Sequence, residues 1–430
     1  MGVAMQTARD IVTIIELVLT GGFSLLFFYQ FFYAFYVLIV GNKEKPLLTN
    51  KQHKFGIIVS ARNEEQVIGQ LIDSVSKQNY PSQLIKMMVV ADNCTDETAR
   101  VCRERGAYVL ERYNDQLVGK GYALDYLFDH LKKHNDDCDA YIVLDADNLI
   151  DKNFVNEINK GLNRGYKAVT SYRNSKNYGS NWISAGYSLW FLREAKYLNN
   201  ARMLLNTSCA ISGTGFCICR EVIERNGGWP FHLLTEDMEF TVDTIVKGGK
   251  IGYCGNAVLY DEQPVKFSQS WTQRMRWVKG FYQVFSKYSG RLFKGIFKGS
   301  FACYDMLVFI IPGILGFGFT SICALSNVVL WAMYPQGNGL ERAITIIITF
   351  FVFFFCLMFL LGLLTMITEG HNIRGCSTGR KIWSLFTFPV YMMTYIPIGI
   401  VALFKKVDWK PIQHTVSATI DEMAENITGK

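Results

Sequence analysis

Ala140-Tyr141-Ile142-Val143-Leu144-Asp145-Ala146-Asp147-Asn148 carries an apolar run straight into two carboxylates one residue apart. A short apolar run of this kind, followed by a helical stretch, reads as a buried strand. Three similar runs precede it, at 55–60, 86–91 and 107–111, each followed by an amphipathic helical stretch. This alternation predicts a doubly wound α/β domain with a Rossmann-like, mostly parallel sheet. Ligands of such sheets bind at the carboxyl ends of the strands, where Asp145 and Asp147 stand.

The composition surrounds this domain with membrane. Of 430 residues, 50 % are hydrophobic, 14 % aromatic and 19 % charged, against roughly 25 % charged in soluble domains. A disordered chain is excluded. The net charge is +7 and the basic residues gather beside apolar runs, which points to a lipid surface and away from nucleic acid. Eleven cysteines contain no C-x-x-C pair and a single C-x-C, Cys217 and Cys219, and the six histidines contain no H-E-x-x-H. No disulfide framework or structural zinc follows, and the thiols read as core residues in a reducing compartment.

Residues 17–40 form 24 positions without a charge, enough for a retained span. Lys43, Lys45, Lys51 and Lys54 follow and place that flank in the cytoplasm. Charge-free runs at 306–340, 343–368 and 382–404 close the chain, the first with a turn at Tyr334-Pro335-Gln336-Gly337-Asn338-Gly339. Arg374, Arg380 and Lys381 separate the last two. The final run either spans, leaving Lys405, Lys406 and Lys410 outside, or bends at Pro389 and Pro397. The expected organisation is an anchor over 1–42, a cytoplasmic domain over 43–290, an interfacial helix with membrane helices over 291–404, and a tail over 405–430.

Within the domain, polar residues cluster at predicted strand ends. Ser60-Ala61-Arg62-Asn63-Glu64-Glu65 suits a helix start or a pocket. Asp92 ends the second strand, where an acceptor could read a base or ribose, while Thr95 or Asp96 caps the next helix. Lys120 lies between Gly119 and Gly121, which let backbone approach a ligand. Asp145 and Asp147 offer the hard oxygen ligands that suit Mg²⁺ or Mn²⁺, or else cap a turn. Thr235-Glu236-Asp237 either starts a helix or supplies a general base, Asp237. Gln273, Arg276 and Trp277, after a capping region at Ser268-Gln269-Ser270, share one helix face. That face would hold a pyrophosphate and a sugar ring, or else anchor an interfacial helix.

Asp92, Asp145-x-Asp147, Thr235-Glu236-Asp237 and Gln273-x-x-Arg276-Trp277, in that order, resemble the membrane-integrated family 2 glycosyltransferases, a group with cellulose, chitin and hyaluronan synthases. The resemblance covers roughly residues 54–290 and implies a GT-A type domain inserted between transmembrane helices. It implies that Ala61, Asn63, Glu65, Asp92 and Lys120 line the nucleotide pocket. Asp145 and Asp147 would face the nucleotide sugar, with Asp147 closest to Mg²⁺ or Mn²⁺. Asp237 would be the base, and Glu236, Gln273, Arg276 and Trp277 would hold the diphosphate and the acceptor end. Ser212-Gly213-Thr214-Gly215-Phe216 looks like the segment these enzymes place beside the acceptor sugar. Tyr260-Asp261-Glu262-Gln263-Pro264 resembles the bacterial exopolysaccharide subset.

What the resemblance implies is a plasma-membrane, processive, inverting β-glycosyltransferase. The leading expectation is UDP-glucose polymerised to a β-glucan, cellulose-like or mixed β-1,3/β-1,4, and moved across the bilayer. The alternatives are a poly-N-acetylglucosamine-type synthase using UDP-N-acetylglucosamine, single transfer to a lipid carrier, and a non-catalytic scaffold. With 26 residues after Phe404 there is no room for a cyclic-dinucleotide-binding domain, and no F-x-V-T-x-K-G gating loop occurs. So small a channel leaves room for a homodimer or an export partner. Two further stretches, 181–205 with Trp182, Trp190 and Phe191, and 290–301 with Phe293, Ile296 and Phe301, read either as bilayer-interface helices or as helices packed on the sheet.

Overall fold

The four apolar runs become four adjacent parallel strands, β1 (Phe55–Ala61), β2 (Ile85–Asp92), β3 (Tyr108–Arg112) and β4 (Ala140–Asp145), in the order β3-β2-β1-β4. β1 is buried along nearly its whole length, as a parallel strand covered on both faces must be. The structure is a computed structural model that describes residues 2–41, 45–311, 314–334, 338–408 and 418–425. Lys43, Lys410 and the Pro335-Gln336-Gly337 turn lie outside the described residues.

Helices α1 (Gly2–Val40), α2 (Ile68–Ser76), α3 (Thr98–Glu104), α4 (Lys120–Lys133) and α5 (Phe154–Asn163) lead into or alternate with this half of the sheet. The other half is β5 (Leu149–Ile150), β6 (Ala168–Ser175), β7 (Phe216–Cys219) and β8 (Ile251–Asp261), with α6 (Trp182–Arg193), α7 (Asn200–Leu204), α8 (Arg220–Asn226) and α9 (Glu236–Val246). The sheet continues β4-β7-β6-β8-β5. β7 runs antiparallel to both neighbours, β6 and β8 are parallel, and β5 is antiparallel to β8. The expected Rossmann-like α/β sheet is therefore present, parallel in one half and mixed in the other.

The reversal at β7 positions the site. Because Phe216 pairs with Val143, the segment entering β7 arrives beside the carboxyl end of β4. Gly215 makes that entry: its N–H donates to Val143 O at 2.9 Å and its φ is +68°. A Cβ there would stand 2.0 Å from Leu259 Cδ2 and 2.3 Å from Ser171 Oγ.

Downstream lie α10 (Phe267–Phe297), α11 (Phe301–Ile310), α12 (Ile314–Met333), α13 (Gly339–Glu369), α14 (Thr378–Met393) and α15 (Tyr395–Phe404). Among the described residues, four helical stretches, Gln6–Val40, Leu315–Met333, Gly339–Asn372 and Thr378–Phe404, are long and apolar enough to cross a bilayer. The predicted run 306–340 divides near Ile311, its first part joining the short helix α11. α14 and α15 meet at Thr394, between Pro389 and Pro397, within the single stretch Thr378–Phe404 that is long and apolar enough to span. Pro397 has no N–H to continue the ladder, and Arg274 Nη1 donates to Thr394 Oγ1 at 2.6 Å across the break.

Two local expectations need correction. α10 starts at Phe267, so Ser268, Gln269 and Ser270 lie inside its first turn, and Ser270 Oγ bonds the Tyr187 hydroxyl at 3.2 Å. The stretch 181–205 is no surface helix: Tyr187, Leu189, Leu192, Leu198 and Ala201 are buried, and so are Arg193, Glu194 and Arg202, because it is wedged between β6 and the membrane helices, where the charged side chains find partners. A π-helical turn, Glu194–Asn199, separates its two helices. The stretch 290–301 ends α10 and is two-faced, with Leu292 buried and Phe297 89 % exposed.

The layer on this side of the sheet is tied to the long apolar helices through one buried cluster. Arg202 of α7 meets Asp305 of α11 with two contacts of 2.8 Å, and both side chains are fully buried. Tyr29 and Tyr33 of α1 donate to the same carboxylate at 2.9 and 2.8 Å. Removing one partner of such a pair leaves the other charge buried, at a cost of about 3–5 kcal/mol. Asp305→Ala is expected to lower the thermal midpoint of the detergent-purified protein sharply, whereas Asp137→Ala, at an exposed ion pair, leaves it nearly unchanged. Gly215→Ala combines overpacking, about 1–3 kcal/mol, with left-handed strain of about 1–2 kcal/mol. Thermal unfolding is expected to show that loss, and Gly106→Ala, at a positive φ with open space, to show only the strain.

Candidate active site

The carboxyl ends of β1, β2, β4 and β8, the 212–215 segment, the start of α9 and one face of α10 enclose a cavity of about 740 Å³ that continues between the membrane helices. Asp92, Lys120, Asp145, Asp147, Ser212, Gly213, Glu236, Asp237, Gln273, Arg276 and Trp277 all line it. Residues from across more than 180 positions of sequence therefore meet in one space.

At the end of β4, Asp145 is held on both sides. Its N–H donates to Thr214 Oγ1 at 2.9 Å and to Asn148 Oδ1 at 3.1 Å. Its carboxylate accepts from Lys120 Nζ at 2.5 Å, and the same ammonium reaches Gly213 O at 2.9 Å. Lys120 opens α4 after Gly119, whose φ is +134°. The role expected of Gly121 differs: a Cβ there would meet Phe231 O at 2.2 Å, so this glycine admits a protein loop.

Asp147 is 2 % exposed and its Oδ2 accepts from the Glu262 N–H at 2.8 Å. Beside it, burial pushes Asp261 up to about 7, with Arg173 opposing and the Asp147 charge adding to the rise. Arg173 binds Asp261 through Nε at 2.6 Å and Ser212 O through Nη1 at 3.0 Å. Asp147, Asp261 and Glu262 turn carboxylate oxygens to the cavity wall, the donor type that suits Mg²⁺ or Mn²⁺. A second acidic grouping, Asp136, Asp137 and Cys138, stands at the opposite end of β4 and is engaged by Lys86 at 2.7 Å and by Lys54.

Across the cavity, the first turn of α9 presents Glu236 and Asp237. Gly213, at φ +77°, donates its N–H to Asp237 Oδ2 at 2.6 Å. Burial raises the Asp237 carboxyl above its usual range, opposed by the N–H groups of Met238 and Gly213 and by Lys120. Burial raises Glu236 too, and the Asp237 charge pushes it further. A buried carboxylate so disposed can take a proton from a hydroxyl. Arg276 of α10 sits in the field of Glu236, Asp145 and Asp237, and Gln273 Oε1 is buried with no hydrogen-bond partner. The Trp277 ring is braced edge-on by Tyr187 at 5.6 Å and Phe191 at 6.2 Å.

Some expected pocket residues lie elsewhere. Ser60, Arg62 and Glu64 line the cavity, and Ala61, Asn63 and Glu65 do not. Ala61 is a buried strand residue whose carbonyl accepts from the Cys94 thiol. Asn63, at φ +58°, accepts from the Thr95 N–H at 2.8 Å, and Glu65 accepts from the Glu97 N–H at 2.9 Å. These two brace the neighbouring loop, in which Asp96 caps the first turn of α3 through the Thr98 N–H. Thr214 and Gly215 likewise act behind the wall, on Asp145 and on the sheet. Asp92 accepts from Arg112 Nη1 at 2.5 Å. Arg173 and Asp261, without an assigned role in the sequence reading, carried a signal in retrospect: each is the single charged residue of its strand and lies near the strand's end.

The same constellation has relatives. The family model described as "Glycosyltransferase like family 2" matches residues 53–280. A probable glycosyltransferase, YdaM, of Bacillus subtilis (strain 168) is 27 % identical over 70 % of this chain and 72 % of its own length. A beta-monoglucosyldiacylglycerol synthase of Synechocystis is 25 % identical over 54 % of this chain, which spans about half, 48 %, of that relative. A poly-beta-1,6-N-acetyl-D-glucosamine synthase of Staphylococcus epidermidis is 24 % identical over 61 % of this chain and 66 % of its own. Among solved structures, the mannosyltransferase PcManGT from Pyrobaculum calidifontis, in complex with GDP-Man and Mn²⁺, matches with a TM-score of 0.56 at 17 % identity. That match covers 91 % of this chain and 99 % of PcManGT, a likeness of fold. The family match takes in every strand of the sheet, the Glu236–Asp237 turn and the Gln273–Trp277 face, more than half of the chain, and so the chain belongs to the glycosyltransferase like family 2.

Proposed function

We propose that the protein is a metal-dependent, inverting glycosyltransferase that takes a sugar from a UDP-sugar and passes it to an acceptor presented from the membrane. The observation that carries this reading is the placement of Asp237, fixed by the Gly213 N–H, in one cavity with Asp147, Arg276 and the membrane helices. A mannosyltransferase of the same fold was solved with a nucleotide sugar and Mn²⁺, and the names of the relatives state glucosyl-lipid and poly-N-acetylglucosamine products.

In this reading Asp92 and Lys120 face the nucleotide. Asp147, with Asp261 and Glu262 beside it, would hold Mg²⁺ or Mn²⁺, whose charge would make the diphosphate a better leaving group. Arg276 and Gln273 bind the diphosphate, and Trp277 offers a flat apolar surface to the sugar. The acceptor hydroxyl gives its proton to Asp237 as its oxygen attacks the anomeric carbon. The bond to UDP breaks with its electrons on the diphosphate, so one displacement inverts an α-linked donor to a β-linked product. UDP-glucose is the first candidate donor and UDP-N-acetylglucosamine the second. Processive growth of a β-glucan, with a homodimer or export partner, and single transfer to a lipid share these steps. They differ in what accompanies the acceptor hydroxyl. The basic flank at Lys45, Lys51 and Lys54 supports a domain on the cytoplasmic side of the plasma membrane.

Asp237→Asn is expected to lower UDP release by 10²–10⁴-fold while UDP-sugar binding persists. Its thermal midpoint should not fall: burial has raised this carboxyl, so ionised it opposes folding once the pH passes the unfolded value of 3.8. For the same reason the acid limb of wild-type turnover should lie above pH 3.8, because the base works only when ionised. A chelator should stop turnover and added Mn²⁺ restore it. Unchanged turnover in Asp237→Asn would remove this carboxylate from the role of base.

A further inference from the structure

Glu194, at the start of the π-helical turn, lies in the field of three arginines, Arg202, Arg173 and Arg193. Two of them have carboxylates of their own: Arg202 binds Asp305 and Arg173 binds Asp261. Arg193 has no ion pair among the described residues. Its Nη2 donates to the neutral Gln30 Oε1 at 2.7 Å, and its Nε is buried with no hydrogen-bond partner. The guanidinium carbon lies 4.8 Å from the centroid of the Trp190 ring. The side chain is 7 % exposed. It nevertheless lines the reaction cavity, beside Trp190 and the α1 residues Phe27, Gln30 and Phe31.

A guanidinium taken out of water needs a counter-charge, and one amide oxygen with an indole face is a poor substitute. Burial pushes the Arg193 pKa down to about 10, with Glu194 and Tyr29 opposing and Arg202 adding to the fall. Glu194 gives little relief, since burial raises its own carboxyl. A helix end does not balance the charge either. The chain continues from α6 through the turn Glu194–Asn199 into α7, so no free carbonyls gather there. The wall thus carries a dry cation whose compensation the described residues do not supply.

Arg193 and Asp237 stand on different walls, one at the end of α6 beside α1, the other at the start of α9. An anion beside Asp237 would meet Glu236 and Asp237 as like charges, whereas at Arg193 it meets an unpaired cation. Resting on the transferase reading above, we infer that Arg193 is an acceptor-binding residue and that the acceptor carries an anionic oxygen group, phosphate or carboxylate, apart from its reacting hydroxyl. Guanidinium N–H groups match the oxygens of such a group, and in a dry cavity the charge-assisted contact is strong. A phospholipid headgroup and a uronate-bearing sugar chain present the same chemistry. The transfer itself keeps its balance: the hydroxyl proton goes to Asp237, the hydroxyl oxygen bonds the anomeric carbon, and UDP leaves with the old bonding pair.

The test follows UDP release by the full chain in detergent with Mn²⁺, from UDP-glucose, UDP-N-acetylglucosamine, UDP-galactose or UDP-glucuronate. Acceptors are offered in matched pairs. Dioleoylphosphatidylglycerol against dioleoylglycerol tests a lipid source, and a glucuronate-ended tetrasaccharide against cellotetraose tests a sugar source. The wild type should favour the anionic member of one pair by roughly tenfold or more in kcat/KM. Arg193→Gln should raise KM for that acceptor about 30-fold, remove the preference and leave UDP-sugar binding unchanged, and Arg193→Lys should restore part of it. An arginine that only supports the fold would lower the thermal midpoint without changing the preference. Neutral acceptors served as well as their anionic partners, a result that needs no variant to fold, would overturn the inference and leave the transferase standing. So would a preference that survives Arg193→Gln. Absence of UDP release from every donor and acceptor would remove the transferase reading and this inference together.

Discussion

The arrangement depends on how five buried or half-buried carboxylates are kept in one space. Asp145, Asp147, Glu236, Asp237 and Asp261 come from the ends of β4 and β8 and the start of α9. Bringing such charges together out of water is costly unless each is compensated. The protein supplies the compensation locally: Lys120 for Asp145, Arg173 for Asp261, and backbone N–H groups of Gly213 and Glu262 for Asp237 and Asp147. These are minimal settlements. Burial still raises Glu236, Asp237 and Asp261, so the site favours cations and proton uptake.

That constraint explains the sheet. A purely parallel continuation beyond β4 would enter the next strand from the opposite end of the sheet. The antiparallel β7 instead delivers Ser212–Gly215 to the carboxyl end of β4, where Thr214 braces Asp145 and Gly213 reaches Asp237. Gly215 pays for the tight entry with a positive φ and no room for a side chain. The π-helical turn at Glu194–Asn199 lies in the same neighbourhood: Asn199 Oδ1 accepts from the Ala210 N–H at 3.0 Å, which steadies the approach to this segment.

The parts legible in the sequence were those encoded locally. Strand periodicity located β1 to β4 and therefore Asp92, Asp145 and Asp147 at strand ends, and helical spacing put Gln273, Arg276 and Trp277 on one face. Loop phase was not legible. After β1 the chain turns through Asn63 in the left-handed region, and this turns Arg62 and Glu64 inward in place of Asn63 and Glu65. Nor was the partnership of Arg173 with Asp261, since β6 and β8 pair across about 90 residues of sequence. The stretch 181–205 misled because tryptophans with basic neighbours suit an interface, whereas here Arg193 and Arg202 find partners in Gln30 and Asp305 at the junction with the membrane helices.

Those junction contacts matter for chemistry as well as stability. Arg202 with Asp305 fixes α7 against α1 and α11, and Arg274 crosses from α10 to the break between α14 and α15. The α10 helix that carries Gln273, Arg276 and Trp277 is thereby registered on the helices that wall the apolar end. In the proposed transfer a strongly hydrated nucleotide sugar would reach the strand ends from water and an acceptor presented from the membrane would reach the same point from the apolar side, with Asp237 where the two meet. An acceptor seated in the apolar wall would displace water from the base at the moment its own hydroxyl arrives, so transfer is favoured over loss of the sugar to water. Rigid coupling of the two halves keeps that meeting point at one carboxylate, and a loose hinge between domain and membrane would forfeit it.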